Sequence, residues 1–381
     1  MALRQNLLRK GILFTLMTLS LLFTAGVCGA KSPVAAKTPV TDALGNPVTV
    51  TNVQHVICSG SGCLRLLVYL QAQDRIVAVD DIETRRRSFD ARPYALANPQ
   101  FKTLPIFGEF RGHDNPELIL GLQPQPQVIF KTNPTAGYDA GELQQKTGIT
   151  VVPLDYGNLT DKRQALYSSL RIMGEVLGKQ QRAEEVIAFF EDQIAQLAKR
   201  CEGINAADAP SVFLGGVAFK GPHGFQSTEP AYPPFMFVKT RNLALESGKV
   251  ASTTTQNANI SKEMIVVWNP DYLFLDLATL QLGEETSGLH ELQTDPAYAT
   301  LQAVKRGAAY GVLPYNWYTQ NFGSILANAW YTGTLLHPAA FADINPAEQA
   351  DRIYTFLVGK PVFAEMNAMF GGLAFSPLPL R

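Results

Sequence analysis

Four basic side chains occur where the sequence could bind an anion. Arg86 and Arg111 lie in the first half of the chain, and Lys220 and His223 lie in the second half. Each stands in a predicted loop between a β-strand and the next helix, and open α/β sheets bind ligands beside such loops, at the carboxyl ends of the strands. Guanidinium and ammonium groups suit carboxylate or oxyanion ligands. The alternative for each residue is a solvated loop position.

Polar and aromatic side chains extend this candidate site. Ser61 belongs to a Ser-Gly-Ser-Gly loop that follows a strand and opens a helix, where backbone amides can face an anion. Tyr232 continues the polar run after a glycine-rich loop, and Tyr315 and Tyr318 flank an Asn-Trp pair. Aromatic rings next to amide groups suit the floor of a binding cleft. Packing in the core is the alternative for these aromatics.

The Ser-Gly-Ser-Gly loop also allows a dinucleotide-binding interpretation. Asp80 and Asp81 end the next strand about twenty residues later, where such a fingerprint has its ribose-binding acid. However, Arg65 stands where the third glycine falls, and its bulk opposes close packing of the helix on the strand. We therefore favour a helix start that lines an anion-binding cleft, and we predict no resident cofactor.

Familiar motifs for enzyme and metal chemistry are missing from the sequence. It contains no Cys-x-x-Cys pair, no His-Glu-x-x-His and no Gly-x-Ser-x-Gly elbow. No pair of carboxylates has a spacing that indicates acid/base catalysis. Cys58 and Cys63 could form a disulfide, but we favour buried thiols for these two residues and for Cys201.

The first thirty residues have the pattern of a secretion signal. Arg4, Arg9 and Lys10 precede an uncharged apolar segment that ends in small residues. Cleavage after this segment would place the mature protein in the periplasm or another extracytoplasmic space. One alternative is a membrane anchor, because about 20 apolar residues can span a bilayer. Another is a lipid anchor on Cys28.

The charge balance argues against nucleic acid as a partner. The chain has 32 Lys and Arg residues against 33 Asp and Glu residues, and without the three basic residues of the first thirty it has 29 against 33, a net charge of −4. No basic patch is visible in the sequence. We therefore predict a protein that binds no nucleic acid.

Strand and helix patterns alternate along most of the chain, which predicts an α/β fold with parallel sheets. From Thr160 to Cys201 the pattern changes to two long amphipathic helices separated by Gly178, and strands then return. The chain is also longer than one typical core requires. We predict a signal peptide over residues 1–30, an α/β lobe over 31–179, a linking helix over 180–203 and a second α/β lobe over 204–381.

Several motifs resemble one protein family when they are taken in order. They are the hairpin at 41–50, Leu-Pro-Ile-Phe-Gly at 104–108, the Asn-Pro-Glu-Leu stretch at 115–124, and the segments 260–264 and 268–274. Together they resemble the periplasmic binding proteins for iron-siderophores, haem and vitamin B12, over residues 40–358. The resemblance implies two Rossmann-like lobes joined by a single long α-helix, with the ligand in the cleft between the lobes.

The resemblance also implies a partner. Members of the family deliver their ligand to an ABC importer in the inner membrane, and one acidic residue on each lobe contacts arginines of the permease. Glu117 and Glu263 match those positions. Both stand at predicted helix starts, where the helix dipole stabilises a carboxylate locally, and this is the alternative role. We expect the protein to act as a monomer.

The ligand is the least determined part of this interpretation. The chain has extra residues around 219–258 and 276–300, and in this it resembles a longer subgroup that includes molybdate and tungstate binders. Our first interpretation is a solute-binding protein for an iron chelate, haem or a corrinoid such as cobalamin. An oxyanion receptor for molybdate or tungstate is the alternative, and a secreted enzyme is the second alternative.

Overall fold

The computed structural model describes residues 38–85, 88–247 and 257–380. The predicted signal peptide, with Cys28, and the candidate ligand residue Arg86 lie outside the described residues. No helix in the described part of the chain has the length and apolar character needed to cross a bilayer.

Fourteen strands and fifteen α-helices are present in the described residues. The strands are β1 Thr38–Thr41, β2 Pro47–Val50, β3 Val56–Ser59, β4 Val79–Asp80, β5 Ile106–Glu109, β6 His113–Asp114, β7 Val128–Thr132, β8 Thr150–Leu154, β9 Ser211–Gly215, β10 Ser227–Thr228, β11 Arg241–Asn242, β12 Ala258–Asn259, β13 Tyr272–Asp276 and β14 Ala309–Val312. The helices are α1 Cys63–Tyr69, α2 Asp81–Thr84, α3 Pro93–Ala97, α4 Pro116–Leu120, α5 Ala140–Thr147, α6 Arg163–Leu177, α7 Gln180–Arg200, α8 Pro233–Phe237, α9 Leu243–Glu246, α10 Lys262–Trp268, α11 Gly288–Thr294, α12 Gln302–Lys305, α13 Phe322–Leu336, α14 Pro346–Val358 and α15 Phe363–Met369.

Besides the antiparallel pair of β1 and β2, the first lobe contains two small sheets whose strands are interleaved along the chain. Strands β3, β7 and β8 are parallel, and β4 pairs in parallel with β5, which pairs with β6 in the antiparallel sense. A parallel bridge between Val56 and Ile76 connects the two sheets. Side chains alternate between two apolar clusters, with Ile57 and Ile129 on one face and Phe130 on the other. Burial on both faces explains why these strands are almost wholly apolar.

The second lobe contains a four-stranded parallel sheet in the order β11, β9, β13, β14. Strands β9 and β13 at its centre are buried. Helix α10 precedes β13 and helix α12 precedes β14, so each helix belongs to the connection that leads into the next parallel strand. The α/β class and the two lobes predicted from the sequence are confirmed.

Helices α6 and α7 lie between the two lobes in the chain. Gly178 ends α6 with a left-handed φ of 65°, and the following amide of Lys179 donates to the Gly174 carbonyl at 2.6 Å. Helix α7 then runs for 21 residues, and its interior contains neither Gly nor Pro. It packs against α6 and α13 and buries Val186, Phe190 and Leu197 along one stripe.

The last two helices of the second lobe, α14 and α15, pack against helices of the first lobe. Helix α14 packs against α1 and α3, and α15 packs against α3. Lys360, after α14, donates from its Nζ to the carbonyl of Ala97 at 2.6 Å. One apolar cluster therefore runs through both lobes, from Val40 to Leu378, and the described residues form one compact unit.

The three cysteines of the described residues, Cys58, Cys63 and Cys201, are buried and free. Cys58 lies at the centre of β3 and Cys63 at the start of α1, and they are not bonded to each other. The Cys63 thiol instead donates to the carbonyl of Phe130 at 3.4 Å. Burial and the neighbouring Cys63 raise the pKa of Cys58 well above its ordinary value.

Candidate functional site

A cavity of about 250 Å³ lies between the two lobes. We call it the interlobe cavity. Its walls are Ser61, Ile82, Phe110 and Arg111 from the first lobe, and Ala218, Lys220, Gly221, Pro222, Gln281, Asn316, Trp317, Tyr318 and Thr319 from the second lobe.

The lining residues follow the carboxyl ends of parallel strands in both sheets. Ser61 follows β3, Ile82 follows β4 and Arg111 follows β5, while Lys220 follows β9 and Gln281 follows β13. Open α/β sheets bind ligands at this edge. The two lobes therefore present their ligand-binding edges to the same space.

The loop between β3 and α1 depends on its two glycines. Gly60 and Gly62 have φ values of 86° and 82°, which favour glycine. A Cβ atom on Gly60 would collide with the carbonyl of Thr132, and one on Gly62 would collide with the ring of Tyr156. The close approach keeps Ser61 at the cavity wall, where its carbonyl accepts from the Thr132 hydroxyl at 3.0 Å.

The two cations of the cavity come from opposite lobes. Arg111 is at the tip of the β5–β6 hairpin, and Lys220 is in the loop after β9. Neither has an ion-pair partner among the described residues. The ring of Phe110 lies between two guanidinium groups, with Arg85 at 4.8 Å and Arg111 at 5.0 Å from its centroid. Two exposed cations with no carboxylate partner favour an anionic ligand.

Backbone strain is concentrated at this cavity. Ten non-glycine residues of the described chain have positive φ, and four of them line the cavity: Arg111 at 66°, Lys220 at 57°, Tyr318 at 51° and Thr319 at 62°. Such conformations cost about 1–3 kcal/mol each, persist only where the surrounding structure imposes them, and cluster at functional sites. The observation independently supports this cavity as the functional site.

Tyr318 joins the lobes at the cavity wall. Its hydroxyl contacts the carboxylate of Asp80 at the end of β4 and accepts from the backbone amide of Arg111 at 3.1 Å. Asp80 is buried, and its Oδ1 has no partner among the described residues. Burial, and then the nearby charge of Glu83, raise the pKa of Asp80 to about 8.

A second connection is made by Arg65 of α1, which is almost completely buried. Its guanidinium donates to the carbonyls of Gln320 at 2.7 Å, Trp317 at 3.2 Å and Tyr318 at 3.2 Å, and it also contacts the hydroxyl of Tyr156. Arg65 therefore holds the loop 317–320 of the second lobe against the first. Arg65, whose bulk argues against a dinucleotide fingerprint, is therefore a structural clamp between the lobes.

Lys131 is fully buried in β7 below the cavity. Its Nζ donates to Asp114 at 2.6 Å, to the carbonyl of Gly112 at 3.1 Å and to the hydroxyl of Ser59 at 3.2 Å. These bonds connect the hairpin that carries Arg111 to the end of β3. A buried ion pair is weak evidence for stability, but it fixes geometry.

The structure brings together four of the predicted ligand residues and places three elsewhere. Ser61, Arg111, Lys220 and Tyr318 line the interlobe cavity. His223 is exposed beside it, with Nε2 at 2.8 Å from the carbonyl of Phe219, and it is not part of the wall. Arg86 lies outside the described residues.

Tyr232 and Tyr315 are core residues in this structure, which corrects their assignment to the cleft. Both are buried and pack edge to face with ring centroids 5.4 Å apart. The hydroxyl of Tyr232 accepts from Asn328 at 2.9 Å, inside the second lobe. Their aromatic sequence pattern reflects packing beneath α13, which was the alternative.

The two predicted docking acids are exposed at helix starts. Glu117 lies in the first turn of α4, where the side chain of Asn115 accepts from the Glu117 amide at 3.0 Å. Glu263 lies in the first turn of α10, which Ser261 caps. Neither residue lines the interlobe cavity.

The described residues contain no group of three or more His, Cys, Asp and Glu side chains that could hold a metal ion. The site chemistry there consists of two cations, hydroxyls and amides. It can bind and orient an anion.

The fold is that of a two-lobed α/β protein with a cavity between its lobes. Residues 56–313, well over half of the chain, match the family described as periplasmic binding protein, so the chain belongs to this family. Its members are transport binding proteins. No curated protein matches the sequence.

Solved structures with similar folds come from the same kind of protein. A periplasmic solute binding protein from Veillonella parvula gives a TM-score of 0.66 at 17% identity and covers 88% of this chain and 97% of that one. The molybdate-binding MolA of Haemophilus influenzae, bound to molybdate, gives 0.63 at 18%, covering 85% and 98%. The TroA-like FepB from Veillonella parvula gives 0.63 at 20%, covering 84% and 96%.

Proposed function

We propose that this protein captures a compact anionic ligand outside the cytoplasm and delivers it to an ABC importer in the inner membrane. The observation that supports the ligand class best is the pairing of Arg111 and Lys220 across the interlobe cavity. Each charge-assisted hydrogen bond to a bound anion contributes about 1.5–3 kcal/mol. Ser61 and the amide of Asn316 supply neutral partners around them, and Tyr318 holds the backbone of Arg111 in place.

The volume of the cavity supports the smaller of the ligands that the sequence left open. Pockets for drug-sized ligands occupy about 300–1,000 Å³, so a cavity of about 250 Å³ suits a ligand smaller than a haem or a corrinoid. A tetrahedral oxyanion such as molybdate or tungstate, or a compact ferric chelate, is the better match. MolA, which has this fold, was solved with molybdate.

The ligand is tested most simply by isolating the protein with its natural cargo. Protein purified from its own periplasm is analysed by native mass spectrometry and by elemental analysis for molybdenum, tungsten, iron and cobalt. The proposal expects a mass increment of a compact anion or chelate, lost in the Lys220→Ala variant. A bound corrinoid or haem would overturn the ligand class. Hydrolysis of a model ester or phosphate by the pure protein would revive the enzyme alternative.

We also propose that the first thirty residues are removed during secretion and that Glu117 and Glu263 contact the permease. The N-terminal sequence of the mature protein tests the first point. For the second, both acids are changed to Lys. Ligand affinity should stay at the wild-type value, because neither residue lines the interlobe cavity, while uptake through the importer should stop. Normal transport by the folded double variant would refute the docking role.

A further inference from the structure

Three buried carboxyl groups lie together next to the interlobe cavity, with one guanidinium group among them. Asp80 ends β4, Glu83 lies in α2, and Asp90 and Arg92 precede α3. Ile82, between the first two, lines the cavity. The four charged residues are between 1% and 6% exposed, and we call them the acid cluster. Buried charges need partners of opposite charge, and one cation cannot neutralise three anions, so the three acids are not all ionised at once.

Arg92 is shared by two of the three acids. Its Nη1 donates to Glu83 at 2.9 Å, and its Nε and Nη2 donate to Asp90 at 2.9 and 2.8 Å. Glu83 also accepts from the Tyr94 hydroxyl at 2.6 Å. Asp80 accepts from neither of these donors. The bonding pattern therefore identifies Asp80 as the acid of the cluster that is left without a cation.

Asp80 has one hydrogen-bond partner in the described part of the chain. The Tyr318 hydroxyl of the second lobe donates to its Oδ2, and the same hydroxyl accepts from the Arg111 amide at 3.1 Å. Oδ1 of Asp80 is buried and has no partner there. These surroundings stabilise an ionised carboxylate poorly, whereas a neutral carboxyl can carry its proton on Oδ1. Burial, and then repulsion from Glu83, accordingly raise the pKa of Asp80 to about 8.

The other charged groups around Asp80 do not change this balance. The elements packed against β4 contribute the thiol of Cys58 from β3 and the carboxylates of Asp81 from α2 and Glu109 from β5. Asp81 is paired with Arg85. The second buried guanidinium near the acid cluster belongs to Arg65 of α1, and it is bonded to the carbonyls of loop 317–320. Each described cation near Asp80 is therefore already bonded to other groups.

We propose that Asp80 is a positioning residue that couples capture of the anionic ligand to the uptake of one proton. While Asp80 is neutral, it accepts from Tyr318, which holds the backbone of Arg111 in place. Once Asp80 is ionised, its negative charge stands directly behind Tyr318 and opposes an anion in the cavity. Binding to that form draws one proton from the solvent onto Asp80, and release of the ligand returns the proton. This inference rests on the proposed function, because it requires an anion in the interlobe cavity.

Titration calorimetry with molybdate and tungstate at pH 7 and pH 9 tests the coupling, because both anions stay fully ionised in this range. Affinity should fall as the pH rises through about 8, where Asp80 of the free protein becomes ionised. At an effective dielectric constant of about 20, repulsion through one layer of side chains should weaken wild-type binding roughly five- to tenfold at pH 9. Buffers that differ in their enthalpy of ionisation count the protons, and wild type should take up roughly half a proton or more per anion at pH 8.5.

Two variants show whether Asp80 holds the proton. Asp80→Asn has the shape of a neutral Asp, so it should bind each anion equally at pH 7 and pH 9 and take up no proton. Asp42→Asn is the matched control and should keep the wild-type dependence on pH. Asp42 is also buried, at 7% exposed, but it lies in the turn between β1 and β2 and accepts from the amides of Leu44 and Asn46. Equal wild-type affinities at both pH values, or a loss of affinity that persists in Asp80→Asn, would overturn the proposal.

Carbon-13 NMR of protein labelled at the aspartate carboxyls gives a measurement that depends neither on those two variants nor on the ligand. The Asp80 signal is the one that shifts when Tyr318→Phe removes its hydrogen-bond donor. In free wild-type protein it should be that of a neutral carboxyl at pH 7 and should titrate near pH 8. An Asp80 that is already ionised at pH 7 would contradict the proposal. If wild type binds neither oxyanion, the proposed ligand class fails, and the NMR titration alone then decides the role of Asp80.

Discussion

The hydroxyl of Tyr318 in the second lobe contacts the carboxylate of Asp80 in the first lobe. The same hydroxyl accepts from the backbone amide of Arg111 at 3.1 Å. One side chain therefore connects the end of β4 and the tip of the β5–β6 hairpin to the opposite lobe. Because Arg111 is a proposed ligand residue, this contact positions a cation of the interlobe cavity.

Removing the Tyr318 hydroxyl should weaken ligand binding without unfolding the protein. Tyr318→Phe leaves the ring beside Phe110 but releases the Arg111 amide and the Asp80 carboxylate. A lost hydrogen bond of this kind costs about 0.5–1.5 kcal/mol, so losing the bond that positions Arg111 should raise the Kd roughly two- to thirteenfold. Isothermal titration measures the change. The control is Tyr298→Phe, which removes a hydroxyl that has no partner in the described structure. Equal affinities for both variants would contradict the positioning role.

The Arg65 clamp should be a major contributor to stability. Arg65→Met removes three charge-assisted hydrogen bonds to the carbonyls of loop 317–320, and such bonds contribute about 1.5–3 kcal/mol each. The Gln320 and Trp317 carbonyls keep a bond from the Tyr156 hydroxyl and from the Asn321 side chain, whereas the Tyr318 carbonyl loses its partner. We expect a loss of at least ~3 kcal/mol in urea unfolding. Arg171→Met is the control, because Arg171 forms only a surface pair with Glu184 at 2.6 Å, and such pairs contribute about 0–1 kcal/mol. If the two variants unfold at the same urea concentration, Arg65 is not a clamp.

Much of the fold follows from patterns that are local in the sequence. The apolar runs of β3, β7 and β9 and the helical spacing around Gly178 depend on neighbours within a few residues, so they can be read directly. Arg65 and Lys131 are different. Each is a single basic residue in an otherwise apolar run, which signals a buried charge. The hydrogen-bond partners of such a residue cannot be predicted from its neighbours in the sequence. Trp317, for example, lies 252 residues after Arg65.

Residues that line the interlobe cavity could be predicted from the sequence where the position of the backbone decides their place. Arg111 and Lys220 follow strand ends, and the parallel sheet brings strand ends to one edge. Tyr232 and Tyr315 were assigned to the cleft from residue type, which does not distinguish a core aromatic from a wall aromatic. The tertiary packing of the second lobe, which the sequence does not show, buries both rings.

Asp276 should make the protein less stable as the pH rises. Complete burial raises its pKa from 3.8 to about 8, and its Oδ2 has no partner among the described residues. The native state therefore keeps a proton that the unfolded chain releases above about pH 4, so stability falls as the pH rises from about 4 to about 8 and then levels. Each unit of pKa shift corresponds to about 1.4 kcal/mol.

The Asp276→Asn variant tests this dependence. Thermal unfolding between pH 4 and pH 9 should show a smaller loss of stability with pH than in wild type, although buried Glu229, whose pKa is also raised by burial, keeps part of the slope. Asp192→Asn, at an exposed position on α7, should leave the wild-type slope. A slope in Asp276→Asn as steep as in wild type would show that Asp276 does not hold the proton.

Ligand binding should close the lobes only slightly. Helix α7 is uninterrupted, the apolar cluster runs through both lobes, and α14 packs on the first lobe. For a chain of this length the radius of gyration is about 20 Å, and we expect a change below about 1 Å on saturation with a compact anion. Small-angle X-ray scattering with and without the anion measures it. A change of several Å would require a flexible connection instead of this continuous core.

The central claim is that Arg111 and Lys220 hold a compact anion between the lobes. Its most direct test is titration calorimetry of wild type, Arg111→Ala and Lys220→Ala with molybdate, tungstate, ferric citrate, haemin and cobalamin, using Lys102→Ala as an exposed control. The account predicts that at least one compact anion binds wild type and Lys102→Ala alike, and about 10- to 150-fold more weakly to the two cavity variants. Tight binding of haemin or cobalamin with none of the compact anions, or an anion affinity that neither cavity variant changes, would contradict it.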